Sequence, residues 1–233
     1  MHSTPNFEIL YILKLLFQMA PVHTMTTAIK LAVFCAKCYN DFMKIEDIMQ
    51  TEKPRLLLQV CCAPCLTGSI DYLTEHFDVT AFFYNPNIQP KQEFNLRLDA
   101  LKQLIVQYPS VKLVVPDQDE NEYLDFVKGL EKEKEGGTRC TACFDLRLGK
   151  TAEYMKEHID QYDYFATTLT VSPHKNARLI NEIGNKLAEK YNVQYLESDF
   201  KKKDGFLRSI KKSKELNLYR QDYCGCSFSN WHK

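Results

Sequence analysis

From residue 53 onward, short apolar runs rich in β-branched and aromatic residues alternate with longer amphipathic stretches. A run of about 4–8 such residues reads as a strand, and apolar positions three and four apart give a stretch one apolar face as a helix. Their alternation is the pattern of βα units, in which each helix carries the chain back over one face so that successive strands lie parallel. The spacing predicts strands over 56–60, 79–84, 112–115, 162–167 and 193–197. It predicts helices over 67–76, 89–107, 121–133, 144–158 and 176–191. We expect a single α/β domain with one mostly parallel, Rossmann-like sheet flanked by helices. The 233 residues, 45% of them hydrophobic, suffice for one sizeable core.

Ligands of an open α/β sheet bind beyond the carboxyl ends of its strands, so the segments that follow each strand are where chemistry belongs. Three of these stand out. The first strand runs into Cys61-Cys62-Ala63-Pro64-Cys65, the second into Tyr84-Asn85-Pro86-Asn87, and the fourth into Thr167-Thr168, ending at Pro173-His174. Parallel topology puts all three on one rim.

Nine cysteines are many for such a chain, and an odd number cannot all pair. Cys35 and Cys38 lie apart near the start; the other seven fall in three tight groups, Cys61/Cys62/Cys65, Cys140/Cys143 and Cys224/Cys226. Tight grouping suits metal coordination better than the stapling of distant loops. Three adjacent thiolates repel one another until a metal removes the cost, and Pro64 stiffens the turn that aims them together. Cys140 and Cys143 precede the helix expected over 144–158, whose free N–H groups favour thiolates. Gly225 lets the chain fold tightly between Cys224 and Cys226. Seven thiolates exceed the four that one zinc or one cubane cluster takes, so a four-plus-three arrangement is the economical reading. Ligation by thiolate alone favours iron–sulfur chemistry, with two zinc ions as the alternative.

Charge names no partner globally, since 30 basic residues balance 30 acidic ones, but eight Lys/Arg against two acids between Lys201 and Arg220 suit a nucleic acid. Residues 7–20 form an apolar run broken by Lys14, too short to span a bilayer and preceded by no basic cluster. We therefore expect a cytoplasmic protein with no membrane association. Met43 opens a plausible natural start, so the expected division is an extension over residues 1–42 and a catalytic iron–sulfur domain over residues 43–233.

The stretch Leu58-Gln59-Val60-Cys61-Cys62-Ala63-Pro64-Cys65, then Tyr84-Asn85-Pro86-Asn87-Ile88, Arg139-Cys140 with Cys143 and Arg147, and Tyr219-Arg220-Gln221 before Tyr223-Cys224-Gly225-Cys226, resembles the QueH-type epoxyqueuosine reductases. The resemblance runs from about Lys53 to Ser229 with its motifs in order. It implies a nucleotide-hydrolase-like α/β fold holding a 4Fe-4S cluster beside a mononuclear iron. It also implies the substrate, epoxyqueuosine at wobble position 34 of the Tyr, His, Asn and Asp tRNAs, and reduction to queuosine as the last step of that pathway. In some members one metal ligand is expected to be an aspartate; Cys65 fills that place here, with Asp145 as a nearby alternative. No glycine-rich phosphate loop follows the first strand, so no ATP is expected, and no cobalamin.

Converting an epoxide to an alkene takes two electrons and two protons and releases water. The second iron would bind the epoxide oxygen while the cluster relays electrons singly from a ferredoxin or flavodoxin-like donor. Tyr84, His174 and Asp145 are the candidate proton donors. Asn85 and Asn87 are candidates for substrate recognition, although Asn-Pro-Asn is also ordinary turn chemistry. Arg147, Arg178, Arg220 and Lys175 are candidate tRNA contacts, with Phe206 and Tyr219 as stacking surfaces. Two rival readings stay open, a zinc-stabilised RNA-binding module and an iron–sulfur tRNA thiolase.

Overall fold

The computed structural model describes residues 53–229; the extension expected over residues 1–42, with Cys35 and Cys38, lies outside them. Four parallel strands form one sheet: β1 (Arg55–Gln59), β2 (Asp78–Phe82), β3 (Lys112–Val114) and β4 (Tyr164–Thr167), in the order β3-β2-β1-β4. Leu57 of β1 lies between Thr80 of β2 and Phe165 of β4, so β1 is central and covered on both faces. This burial explains why Leu56, Leu57 and Leu58 run consecutively apolar rather than alternating.

Seven helices flank the sheet among the described residues: α1 (Ala63–Thr67), α2 (Ile70–His76), α3 (Lys91–Val106), α4 (Glu120–Phe126), α5 (Thr138–Glu157), α6 (Ala177–Tyr191) and α7 (Gly205–Glu215). Strand alternation divides the interior into two cores. Leu56, Leu58 and Val60 pack with Leu66, Ile70, Leu101 and Leu104 on one face. Leu57 packs with Phe144, Leu148, Ile180 and Leu187 of α5 and α6 on the other. No helix of the described residues is long and apolar enough to cross a membrane.

Several boundaries differ from those expected. The strand expected over 193–197 makes a single parallel bridge, Phe165 with Tyr195, in which the Phe165 N–H donates to the Gln194 carbonyl at 2.9 Å and the Leu196 N–H to the Phe165 carbonyl at 2.8 Å. The helix expected over 67–76 is two helices broken at Gly68, where an added Cβ would sit 2.6 Å from the Gly205 carbonyl oxygen. The helix expected over 121–133 ends at Phe126, and Gly129, with φ +86°, turns the chain away. Helix α5 begins six residues before the expected 144, so Cys140 and Cys143 lie inside it rather than ahead of it.

Helix α7 was read only as a basic run. Its buried stripe is Gly205, Ser209 and Ser213, four residues apart, small enough for the helix to lie against α1. The Thr67 hydroxyl donates to the Ser209 carbonyl at 3.2 Å across that contact. An apolar periodicity search passes over a stripe of this kind.

Candidate metal centre

The order β3-β2-β1-β4 means that the chain leaves β1 toward one side for β2 and β3, then returns to its other side for β4. The crevice between the ends of β1 and β4 is therefore the topological switch point, the place where such sheets bind ligands. Cys61 stands at this crevice: its N–H donates to the Thr168 hydroxyl, just beyond β4, at 3.2 Å. Cys62, extended at φ −172° and ψ 161°, caps α1, and Pro64 in the first turn commits the chain to helix, carrying Cys65 around. The three sulfurs come within 4.8 Å of one another, with Cys61 and Cys62 at 3.8 Å.

The other two groups meet this trio. Cys140 and Cys143 sit three apart on α5 and so share a face. The Gly136 N–H donates to the Cys140 sulfur at 3.1 Å. The Cys224–Cys226 loop is held from a distance by Arg97 of α3, whose guanidinium donates to the carbonyls of Cys224 at 3.0 Å and Tyr223 at 3.3 Å. Arg97 is itself fixed by the buried Glu93 carboxylate at 2.6 Å. Gly225, at φ +109°, passes directly over this guanidinium; a Cβ there would lie 2.8 Å from Arg97 Nη1. Its carbonyl accepts from the Gln89 N–H at 2.8 Å, which ties the loop to the segment after β2.

Two adjoining cavities result. The larger, about 730 Å³, is walled by Cys65, Cys140, Cys143, Cys224 and Cys226. His174, Lys175, Arg220, Phe206 and Tyr223 complete much of its surface. The smaller, about 40 Å³, is lined by Cys61, Cys65 and Cys224 together with Asn87, Arg97 and Arg147. Cys65, Cys224, Lys175 and Gln221 border both cavities. Gln221 also donates to the Cys62 sulfur at 2.9 Å. All seven clustered cysteines thus converge on one place.

The electrostatics favour the thiolate at two of the seven cysteines, Cys61 and Cys224, and the thiol at the others. Hydrogen bonds from Cys62 and Cys65 hold Cys61 well below the ordinary thiol range, against its burial and with help from Lys175 and Arg147. Cys62 is pushed up to about 11, chiefly by its bond to Cys61. In the last group a bond from Cys226 draws Cys224 down to about 5, again with Lys175 and Arg147 favouring the anion. Burial pushes Cys143 up to about 11. Burial also works against the Lys175 ammonium, but the sulfurs of Cys224, Cys61 and Cys65 outweigh it and raise its pKa.

These residues fit a metal–sulfur group. The donors are soft thiols, two cations stand ready to balance them, and the buried oxygens Asn87 Oδ1 and Gln221 Oε1 have no hydrogen-bond partner among the described residues.

Other sequence-predicted residues fall elsewhere. Asp145 is exposed and lines neither cavity: two residues beyond Cys143 it faces the other way, as helical geometry requires. Tyr84 is fully buried in the core under α5, away from both cavities, where burial raises its pKa far above the phenol range. Asn85, expected at the substrate, is sealed inside. Its amide donates to the Val60 carbonyl at 2.9 Å, and its Oδ1 accepts from Gln59 at 3.2 Å and Arg147 at 2.6 Å. Arg147, expected at tRNA phosphates, is 2% exposed. Arg178 points outward and pairs with Glu182 at 3.0 Å on its own helix. Tyr219 spends its hydroxyl on Glu93 at 2.6 Å. His174, Arg220 and Phe206 do face the larger cavity, and Asn87 faces the smaller.

Sequence reasoning missed Arg97 and Glu93, and gave no role to Gln221 and Thr168, which it named only within longer motifs. Arg139, named there only as part of a family motif, proves structural: its Nη1 gathers the carbonyls of Leu130, Glu131 and Glu133, and its guanidinium lies 4.8 Å from the Phe228 ring centroid. An Arg four residues after a Glu in an otherwise amphipathic helix looks like an ordinary surface pair. Only the fold shows that the pair at Glu93 and Arg97 points inward.

A family model described as "Epoxyqueuosine reductase QueH" matches residues 56–232. An epoxyqueuosine reductase QueH of Streptococcus pyogenes serotype M1 is 43% identical over 185 residues, covering 77% of this chain and 72% of the relative. One from Staphylococcus epidermidis is 44% identical, covering 76% and 77%. One from Thermotoga maritima is 36% identical over 177 residues, covering 75% and 89%. With the match spanning the sheet, the crevice and all three cysteine groups, this chain belongs to the epoxyqueuosine reductase QueH family.

Proposed function

We propose that this chain reduces epoxyqueuosine to queuosine at wobble position 34 of tRNA, taking two electrons and two protons and releasing water. The observation that carries the reading is the convergence of seven thiols at one crevice, six of them lining two adjoining cavities and Cys62 lying against Cys61 and Cys65, in a chain of this family. The centre held there is a 4Fe-4S cluster with a second, mononuclear iron, without cobalamin or ATP. When bound, it supplies one-electron transfers and a Lewis acid for the epoxide oxygen.

The chain's own residues account for the rest. A cavity of about 730 Å³ accepts one nucleoside swung out of a single-stranded loop, without melting a duplex. Arg220, exposed at its edge and steadied by the Ser213 hydroxyl at 3.1 Å, meets a phosphate. Phe206 and Tyr223 offer flat faces to the base. His174, exposed on the wall, is the proton donor that the geometry favours over the buried Tyr84 and the outward-facing Asp145. Asn87, 1% exposed with a free acceptor, orients a hydroxyl or water within the smaller cavity. The catalytic domain is residues 43–233 with residues 1–42 as an extension, working in the cytoplasm on the Tyr, His, Asn and Asp tRNAs with electrons from a ferredoxin or flavodoxin-like donor.

The test is anaerobic reconstitution with iron and sulfide, then incubation with a strong reductant and tRNA carrying epoxyqueuosine, read by mass spectrometry of nucleosides. The expected result is queuosine, lost in Cys61→Ser. A fully loaded centre that leaves the epoxide intact would sink the proposal.

A further inference from the structure

Three cations, Arg97, Arg147 and Lys175, line the smaller cavity with the sulfurs, and they are not equivalent. Arg97 is neutralised by Glu93 at 2.6 Å, and Lys175 is only half-buried on the cavity wall. Arg147 is 2% exposed and has no carboxylate partner among the described residues. Its Nη2 donates to Asn85 Oδ1 at 2.6 Å, and its Nε has no hydrogen-bond partner among them. A guanidinium taken out of water without an anion is strongly unfavourable, so a fold that keeps one needs negative charge beside it. The anions within reach are thiolates. Cys61 and Cys224, the two sulfurs held as anions, share the lining of the smaller cavity with Arg147, and Cys143, one turn earlier on the same face of α5, is hydrogen-bonded to it.

The partner that orients Arg147 is neutral, and that is the informative detail. An Asp or Glu at position 85 would hold the guanidinium equally well but would cancel its charge, as Glu93 does for Arg97. Asn85 holds it without cancelling it. Asn85 is in turn fixed from three sides: its amide on the Val60 carbonyl at 2.9 Å, its Oδ1 on Gln59, and its N–H on Gln118 Oε1 at 2.6 Å. Gln59 is braced by the Thr167 hydroxyl at 2.9 Å, so the ends of β1, β2 and β4 all contribute.

We propose that Arg147 is the fixed counter-charge of the thiolate centre, positioned by Asn85, and that it raises the reduction potential of that centre. Reduction adds one negative charge to a group already rich in thiolates, and a permanent positive charge close by in a water-poor interior favours the reduced form. The inference rests on the redox reading of the cysteines given above.

Spectroelectrochemical titration of the anaerobically reconstituted protein tests it without substrate. In Arg147→Gln, which keeps a donor for Asn85 and loses the charge, the ratio of reduced to oxidised centre at a fixed potential should fall at least tenfold, about 59 mV for a one-electron couple. Arg147→Lys should restore most of it. Asn85→Ala, which keeps the charge but frees the side chain, should fall between Arg147→Gln and the unaltered protein. The shift should persist at 1 M salt, because a buried charge escapes the screening that removes surface effects. Unchanged potentials in Arg147→Gln and Asn85→Ala at full metal content would overturn this inference and leave the reductase reading intact. Absence of any reducible centre in the unaltered protein would instead remove the reading on which it rests.

Discussion

The first and last cysteine groups reach the same crevice by different means. Cys61, Cys62 and Cys65 are placed by their own neighbours: a central strand delivers the first, an extended cap the second and one turn of helix the third. Cys224 and Cys226 have no regular element of their own. They are held by a buried ion pair on α3 about 130 residues earlier and by one glycine that clears it. The first group follows the sheet, whereas the last depends on tertiary contacts from α3 and from the segment after β2, of which the Arg97 clamp can be removed without touching a cysteine.

The sharpest way to break this contrast is Arg97→Ala. It strands the Glu93 carboxylate in the interior, so a loss of about 3–5 kcal/mol is expected in chemical denaturation. Chelator challenge should release metal in two phases, the ligands at 224 and 226 failing first. Release in one phase at the native rate would show that the clamp is not what holds the loop. Gly225→Ala acts on the same contact more gently. A side chain at φ +109° above the guanidinium should cost about 1–3 kcal/mol. Metal content should fall while the far-ultraviolet circular dichroism stays native.

A pH experiment sharpens the comparison within the metal-free protein. Cys224 is depressed to about 5 from an ordinary 9.0, so its stabilising contribution is complete above pH 9, declines below it and is gone once the pH has fallen through 5. Cys140, on the same cavity wall, is raised by burial and remains a thiol at neutral pH. Iodoacetamide at pH 7, followed by peptide mass spectrometry, should label Cys224 well before Cys140; the opposite order would contradict this electrostatic account. The smallest effect is expected at Arg178, whose surface pair with Glu182 lies outside both cavities. Arg178→Ala should change stability by no more than about 0.5 kcal/mol and leave tRNA affinity unaltered. By contrast, Arg220→Ala should reduce the slope of log affinity against log salt by about 1.

Much of the fold could be read along the chain because strands and helices announce themselves in local periodicity. The strand before Cys61 was legible for that reason, and so was the rim beyond β1 and β4 on which that group sits. What went unread was direction. Arg147 and Asn85 looked like surface groups for a polyanion and its base, yet they meet each other across 62 positions in the interior. Asp145 looked close to the cysteines because it is close in sequence, and one look at helical phase turns it outward. Helix α7 hid because its buried face is made of Gly and Ser, which carry no apolar signal.

The amino-acid sequence by itself determined the sheet, its parallel strands, the three cysteine groups and the family to which they belong, since each is written in spacing or residue type along a few consecutive positions. Only the tertiary structure decided which charges are neutralised and which are left free beside the sulfurs. That choice depends on whether a carboxylate or an amide arrives from a distant segment, and on whether water is excluded when it does.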